Sequence, residues 1–221
     1  ENNNFIVYHT TSDGIAYEFY YYCREHIEEA EDTMARMIMD QIDWEKRKEV
    51  EKPTLAESLA PGISEGVTGS TRYHYDEANI SFMIPDGWEE LKLYEEQQFL
   101  KMQMIPINDT TGTSMTFSCN DMWQYISDTD GIPIEYKSRF DMNFEALSSA
   151  DLADTAGINS NEVFISRYGQ YMFYMFAIPQ NLFGVEYELI TAVTCVNGYY
   201  IQFQILSNSI DYYPAFVAVL E

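Results

Sequence analysis

The fold is decided by Glu162–Leu206, which reads EVFISRYGQYMFYMFAIPQNLFGVEYELITAVTCVNGYYIQFQIL. Four runs in this stretch are rich in β-branched and aromatic residues and are separated by turn signals, which predicts four strands. The runs are Glu162–Arg167, Tyr171–Ile178, Val185–Val196 and Tyr199–Leu206. The Asn-Gly pair between the last two predicts a hairpin, because both central residues of a type I′ turn need positive φ. The run that starts at Tyr171 is apolar or aromatic on both faces, so we expect a central strand that is covered on both sides.

The composition indicates a folded protein with a strongly acidic surface. The chain has 221 residues, of which 46% are hydrophobic and 15% aromatic, enough apolar material for a substantial core. The formal net charge is −24, and from Phe140 to the end Arg167 is the only basic residue. Such a surface repels phosphate backbones and anionic lipids, so nucleic-acid binding is disfavoured. It suits a basic partner, a cation, or solubility alone.

The three cysteines do not predict a metal site. Cys23, Cys119 and Cys195 show neither Cys-x-x-Cys spacing nor a nearby histidine pattern. The last two fall in predicted strands, where cysteine usually acts as a small buried apolar residue. No run approaches the roughly 20 apolar residues of a membrane-spanning helix. Because the sequence begins at Glu1 rather than Met, we expect a mature or trimmed product, and whether an export signal or lipid anchor preceded it stays open.

The first sixty residues have two interpretations. Apolar residues recur in steps of three and four, which predicts a helix from about Asp13 to about Lys48. Alternatively, Ile15–Tyr22 pairs with Phe5–Thr10 as a hairpin across the Asp-Gly turn. The helix would carry an apolar cluster that either packs in a core or meets a partner, namely Met34, Met37, Ile38 and Met39.

The chain is predicted to divide into three parts. Residues 1–60 form a helical N-terminal appendage that ends in a short helix at Pro53–Leu59, residues 61–71 are a Pro- and Gly-rich linker, and residues 72–221 form the main domain. The strands predicted ahead of the opening stretch are Arg72–Asp76, Asn79–Ile84, Gln98–Ile105 and Ser114–Cys119. Four helical segments are predicted. The first is a turn at Met122–Ile126 capped by Asn120 or Asp121, and the second is a helix from Pro133 that carries Tyr136, Phe140, Phe144 and Leu147. The third is a helix at Ala150–Ala156 between Ser149 and Gly157, and the last is a C-terminal helix after Ser207 or Ser209 with Ile210, Tyr213, Phe216, Val217 and Leu220 on its apolar face. This order predicts an α+β fold, an antiparallel sheet with helices packed on it.

The segment Ile80–Trp88, which reads ISFMIPDGW, resembles the opening of the PsbP-like family, which includes the Mog-type Ran-binding proteins. The end of the chain, from Asn197–Phe203 through the C-terminal helix, is similar as well. The resemblance covers Arg72 to Glu221 and implies an antiparallel sheet sandwiched between helices, an α/β/α arrangement. It also implies a non-catalytic binder, because the family contains subunits of photosynthetic complexes, a nuclear transport regulator and many bacterial exported proteins or lipoproteins. No functional residue is carried over, and we interpret the Pro-x-Gly-Trp turn as architectural.

One motif points to a serine hydrolase. Residues 62–66 read GISEG, which matches the Gly-x-Ser-x-Gly pattern with Ser64 as the nucleophile. That chemistry needs the serine on a tight turn between a strand and a helix, with a histidine later in the chain. No strand is predicted before the motif, and His74 is the only later histidine. We therefore interpret the motif as part of the linker.

Other ionisable residues give weak patterns. His9, His26 and His74 show no metal-binding spacing. Asp128 and Asp130 lie in a Asp-x-Asp-Gly segment that fails the EF-hand register, which leaves an irregular calcium site or a polar turn as alternatives. No phosphate-binding loop is present, so no nucleotide cofactor is predicted.

A carboxylate pair lies on a predicted strand. Glu186 and Glu188 are two residues apart, so both point to one face with a separation of about 7 Å. Glycosidase carboxylates lie about 5–9.5 Å apart, but solvated glutamates at the start of a strand have the same spacing. No catalytic, cofactor-binding or metal residue is therefore predicted.

The function predicted from sequence is a non-catalytic binding or accessory module of the bacterial cell envelope or surface. An exported, extracellular or envelope-associated protein with an unidentified protein partner fits the resemblance and the acidic surface. The alternatives are a carboxylate-based hydrolase and a calcium-responsive acidic protein.

Overall fold

The computed structural model describes residues 4–12, 15–23, 53–93, 100–129, 131–132 and 135–221, the first two ranges by their backbone. Contacts divide the chain into two compact units, Glu1–Lys52 and Pro53–Glu221. Among the described residues, no helix is both long enough and apolar enough to span a bilayer.

The smaller unit contains a β-hairpin. Strands β1 (Asn4–Ser12) and β2 (Ile15–Cys23) pair antiparallel along their whole lengths. The helix predicted to start at Asp13 is therefore wrong over β2, and the alternative hairpin is confirmed. The reason lies in the sequence IAYEFYYYC of β2, whose aromatic residues favour a strand despite helical spacing of the apolar positions. The rest of the predicted helix, with its methionine cluster, lies outside the described residues.

The larger unit is built on a seven-stranded antiparallel sheet. The strands of this unit are β3 (Thr71–Tyr75), β4 (Ile80–Ile84), β5 (Trp88–Glu90), β6 (Leu100–Pro106), β7 (Ser114–Asp121), β8 (Phe164–Tyr168), β9 (Tyr171–Leu182), β10 (Val185–Val196) and β11 (Tyr199–Ser207). The order across the sheet is β5-β6-β7-β11-β10-β9-β8, and β3 and β4 form a separate hairpin. The four runs of the opening stretch are thus the consecutive strands β8 to β11. Asn197 and Gly198 have φ of 51° and 75°, which confirms the predicted turn.

Short helices complete the unit. The α-helices are α1 (Leu55–Ser58), α2 (Met122–Thr129), α3 (Ser149–Ala156) and α4 (Tyr213–Leu220), and the 3-10 helices are Arg139–Asp141, Phe144–Ala146, Ser160–Glu162 and Ile210–Tyr212. The cap of α3 is Ser148, one residue before the predicted Ser149, and Gly157 ends the helix with φ of 69° as expected. Asp121 caps α2 as predicted, since its Oδ1 accepts from the backbone N–H of Gln124 at 2.9 Å.

Both faces of the sheet are covered. On one face, Met175 of β9 packs in a core with Phe82 of β4 and Phe216 of α4. Successive side chains of a strand point to opposite faces, and Phe176 accordingly packs with Leu152 of α3 on the other side. The predicted α+β fold, an antiparallel sheet between two layers, is confirmed. One of those layers combines a helix with the β3–β4 hairpin.

The helix predicted from Pro133 does not form in the described residues that follow it. Two 3-10 helices take its place, since polar side chains close local turns that compete with a continuous helix. The side-chain amide of Asn143, for example, donates to the carbonyl of Phe140 at 2.8 Å. Phe144 nevertheless anchors the segment by stacking on Tyr174 of the sheet, with ring centroids 4.5 Å apart.

The segment that precedes β3 packs against the sheet. Leu59 is fully buried in the main core. The hydroxyl of Tyr168 donates to the carbonyl of Leu59 at 2.5 Å. The compact unit accordingly begins at Pro53, whereas the division into residues 1–60, 61–71 and 72–221 stays a prediction about separate domains.

Candidate functional site

The hairpin of β9 and β10 extends past its neighbours in the sheet. Within the described chain, β8 pairs with β9 over Tyr171–Met175, and β11 pairs with β10 from Glu188 onward. β9 and β10 stay paired with each other as far as Leu182 and Val185. Residues 179–187 therefore form a two-stranded projection, which we call the hairpin arm.

The arm begins at Pro179, where the sequence predicted an irregular connection. Proline lacks a backbone N–H and is tolerated in a strand where no ladder hydrogen bond is needed. Pro179 pairs with Glu188 of β10 and lies beyond the part of β9 that pairs with β8. Strand β9 therefore continues through Pro179 as far as Leu182, and the turn consists of Phe183 and Gly184.

The tip of the arm exposes apolar side chains. Phe183 is fully exposed at 106%, and Leu182 and Val185 beside it are exposed as well. Phe183 and Gly184 have φ of 54° and 84°, the positive values that a type I′ turn needs. The left-handed region costs a residue other than glycine about 1–2 kcal/mol. The N–H of Gly184 donates to Oδ1 of Asn181 at 3.1 Å, which holds the turn closed. An exposed aromatic residue in a strained conformation adds nothing to the core, which makes Phe183 a candidate contact residue.

The base of the arm is fixed to the body of the unit. The hydroxyl of Tyr187 donates to the carbonyl of Thr111, and the hydroxyl of Tyr213 donates to the carboxylate of Glu188. Burial raises the pKa of Tyr213, and the hydrogen bond and charge of Glu188 raise it further. The phenol therefore stays a protonated donor at neutral pH. The arm presents its tip from a fixed base.

The chain from Phe140 onward exposes many carboxylates, two of which, Glu186 and Glu188, lie on the arm and at its base. From Phe140 onward the acidic residues are Asp141, Glu145, Asp151, Asp154, Glu162, Glu186, Glu188, Asp211 and Glu221, all of them exposed. They are accompanied by one basic residue, Arg167. The excess of negative charge over this part of the chain favours basic groups in whatever approaches it.

The predicted carboxylate pair belongs to the arm and its base. Glu186 is exposed, and Glu188 is the acceptor of the Tyr213 hydroxyl. In the calcium pattern, the side-chain amide of Gln124 donates to both oxygens of Asp128, at 2.9 and 2.8 Å. Asp130 lies outside the described residues. The described part of the chain contains no group of three or more His, Cys, Asp or Glu residues placed to hold a metal ion.

The Gly-x-Ser-x-Gly serine is used structurally. Ser64 is buried and donates to the carboxylate of Glu221, which also accepts from the N–H of Gly62 at 3.0 Å. The carboxylate thus ties the 62–66 loop to the end of α4. In a serine hydrolase with this motif, the serine would instead donate to a histidine.

His74 has partners of its own on the β3–β4 hairpin. Its Nδ1 lies 2.7 Å from Oγ of Ser81, and its Nε2 lies 3.1 Å from Oδ1 of Asp76. In a catalytic triad the acid is buried and fixes the imidazole. The side chain of Asp76 is 96% exposed, so this row of polar groups is a surface hydrogen-bond chain.

Comparisons with known proteins give weak likenesses. No family model matches the chain, and neither does any curated protein. Among solved structures, the chain is similar to a Bacteroides thetaiotaomicron protein, with a TM-score of 0.47, 11% identity, and coverage of 70% of this chain and 48% of the other. It is also similar to a cyanobacterial PsbP from Synechocystis, with a TM-score of 0.34, 11% identity, and coverage of 68% and 88%.

The two likenesses differ in how much of the other protein they span. The chain covers about half the length of the Bacteroides thetaiotaomicron protein. The solved structures it resembles include a PsbP protein, the family named by the sequence resemblance. With both TM-scores below 0.5, they say nothing about what this chain binds, and membership of the family stays a prediction.

Proposed function

We propose that this protein is a non-catalytic binding or accessory module that contacts a protein partner through the tip of its hairpin arm. The observation that carries the proposal is the full exposure of Phe183 in a strained turn. Glu186 on the arm and the net charge of −24 fit a partner whose apolar pocket is rimmed by basic residues. Export to a bacterial cell envelope or surface, as a secreted protein or lipoprotein, is part of the proposal and is supported by the sequence resemblance to exported proteins of the PsbP-like family.

Phe183→Asn separates binding from folding. Asparagine tolerates the left-handed conformation better than phenylalanine and removes the exposed ring. The variant is expected to unfold at the same or higher urea concentration than the natural chain, and to lose the partner. A matched control is Ile210→Asn, which removes an apolar side chain that is also exposed, at 60%, outside the arm.

The assay is a crosslinking pull-down from envelope extract of the source organism, at low and at moderate salt. We expect one dominant protein with the natural chain and with Ile210→Asn, recovered less as salt rises, and its absence with Phe183→Asn. Equal recovery of that protein with all three chains would show that the arm is not the contact surface. The hydrolase and calcium alternatives have no supporting observation among the described residues.

A further inference from the structure

The strand β8 leaves one edge of the seven-stranded sheet open. It is the last strand in the order, and in the described part of the chain only β9 pairs with it. Other edges are protected against the addition of a strand by short length, charge or proline. The three-residue β5 carries Glu89 and Glu90, and the edges of the arm carry Pro179 and Glu186. The five residues of β8 include neither a carboxylate nor a proline, so this edge can accept a further strand.

The backbone groups that face this open edge belong to Ile165 and Arg167. Gly169-Gln170 closes the hairpin of β8 and β9 as a two-residue turn, with φ of 56° at the glycine, so the flanking pair Tyr168–Tyr171 is hydrogen-bonded. The alternation of an antiparallel ladder then directs the N–H and C=O groups of Tyr168, and of every second residue before it, to β9. Those of Ile165 and Arg167 point outward, and backbone groups of this kind are strong hydrogen-bonding groups.

The side chains of the same two residues are exposed beside the edge. Ile165 is 52% exposed, and Arg167 is the only basic residue from Phe140 onward. Arg167 forms no ion pair with another described residue. A carboxylate lies just before the strand, that of Glu162, which accepts from the backbone N–H of Asn159 at 2.8 Å and is thereby held in place. The edge therefore offers an apolar side chain, a cation and an anion within six residues.

We propose that a second copy of this chain adds its own β8 to this edge, antiparallel about a two-fold axis, so that two sheets join into one. An axis perpendicular to the sheet keeps corresponding faces on the same side, and the register with Ser166 on the axis aligns all five residues of β8. Ile165 of each copy then exchanges two backbone hydrogen bonds with Arg167 of the other. The guanidinium of Arg167 is directed towards the end of the strand that carries Glu162 in the other copy, which brings opposite charges together. This contact does not depend on the partner proposed for the arm.

The first test is sedimentation equilibrium of the full chain under reducing conditions, at about 50 mM and about 500 mM NaCl. Two chains of net charge −24 repel each other, and this change of salt shortens the screening length about three-fold. We therefore expect a monomer–dimer equilibrium whose association constant rises with salt, whereas the partner of the arm is recovered less as salt rises. A chain that stays monomeric at the higher salt would overturn the proposal.

A pair of charge variants assigns the contact to β8. Arg167→Glu places a like charge near Glu162 of the other copy, and each substitution occurs twice in a two-fold contact. The matched control is Arg72→Glu, which makes the same change of net charge at an exposed position of β3. We expect the association constant of Arg167→Glu to be at least about ten-fold lower than that of Arg72→Glu. Equal association constants would refute the assignment.

A cysteine variant tests the register. The Ser166 pair on the axis is not hydrogen-bonded, so its Cα atoms lie about 4.5 Å apart, within the range of a disulfide. In a Cys23→Ser background, Ser166→Cys is expected to form a disulfide-linked dimer under mild oxidation at the higher salt. Thr155→Cys, exposed on α3, should remain monomeric. Urea unfolding verifies the fold of each variant, and a folded Ser166→Cys chain that forms no disulfide would overturn this pairing.

Discussion

Replacing Leu59 by alanine should destabilise the larger unit strongly. Leu59 is fully buried in the main core although it lies ahead of the first strand of that unit. Fully buried leucines cost about 2.7–5.0 kcal/mol when cut back to alanine, the spread reflecting how far the surroundings relax. Because a short loop follows Leu59, we expect partial relaxation and a loss of about 3 kcal/mol in the free energy of unfolding. For a unit of this size the melting temperature would fall by about 6–12 °C.

Tyr168→Phe probes the same contact from the sheet. The tyrosine is fully buried, and its hydroxyl donates to the carbonyl of Leu59 at 2.5 Å. Removing the hydroxyl leaves that buried carbonyl unpaired, at a cost of about 1–3 kcal/mol. Leu59 and Tyr168 are in contact with each other. The loss of stability in the double variant should therefore differ from the sum of the two single losses, whereas losses at distant sites add.

Urea unfolding followed by circular dichroism measures both effects. Leu182→Ala serves as the control, because this leucine lies on the exposed arm and its loss should change stability by less than about 0.5 kcal/mol. A cost below about 1 kcal/mol for Leu59→Ala would refute the packing described here. The boundary between the appendage and the main domain would then belong at residues 61–71, as the sequence predicted.

Two further predictions concern a tight turn and the buried thiols. Gly198→Ala should lower the free energy of unfolding by at least about 2 kcal/mol, because position 198 has positive φ and the added Cβ would lie 2.9 Å from a neighbouring side-chain carbon. Gly157→Ala is the matched control. Position 157 also has positive φ but no atom within 4 Å of the added Cβ, so the loss should be about 1 kcal/mol. Equal losses in urea unfolding would contradict the clash. Burial raises the pKa of Cys119 to about 12 and of Cys195 to about 11. In a Cys23→Ser background, no thiol should react with Ellman's reagent at pH 8 in the native state, and two should react in urea. Thiols of the unfolded chain ionise near pH 8.5. The free energy of unfolding should therefore stay constant below that pH and decline as the pH rises towards 11. A fast native reaction would contradict this.

The sheet could be predicted from sequence because local and long-range signals agree there. Asn197-Gly198 fixes a hairpin by turn chemistry, and the doubly apolar run from Tyr171 fixes a covered strand. The signals conflicted elsewhere. In β2 the spacing of the apolar residues suggested a helix, while the aromatic content favoured a strand. In the segment that carries Phe144, the apolar residues are spaced as in a helix but belong to separate short turns. Periodicity alone cannot separate these cases.

The hairpin arm could not be predicted from the sequence, and the reason is different. Phe183-Gly184 lies between two strand-like runs, so a two-residue turn was available as an interpretation. Pro179 argued against it, because proline normally ends a strand. Only the pairing shows that β9 has passed the end of β8 at this point, where a missing N–H is tolerated. Phe183 is exposed because the neighbouring strands β8 and β11 do not extend along the arm. The relative lengths of neighbouring strands are a property of the whole sheet.

The tip of the arm and the core lie at different places along β9, and this makes their roles separable. Phe173 in the core and Leu182 at the tip are nine residues apart on β9, which corresponds to about 30 Å. Changes at sites so far apart, with no shared partners, are expected to add in their effects on stability. The tip stands outside the core, so substitutions there are expected to change the proposed partner binding without a cost in folding. Substitutions of core residues such as Phe173 are expected to lower stability instead. A loss of partner binding in the arm variant at unchanged stability would therefore report on the contact surface and not on the fold.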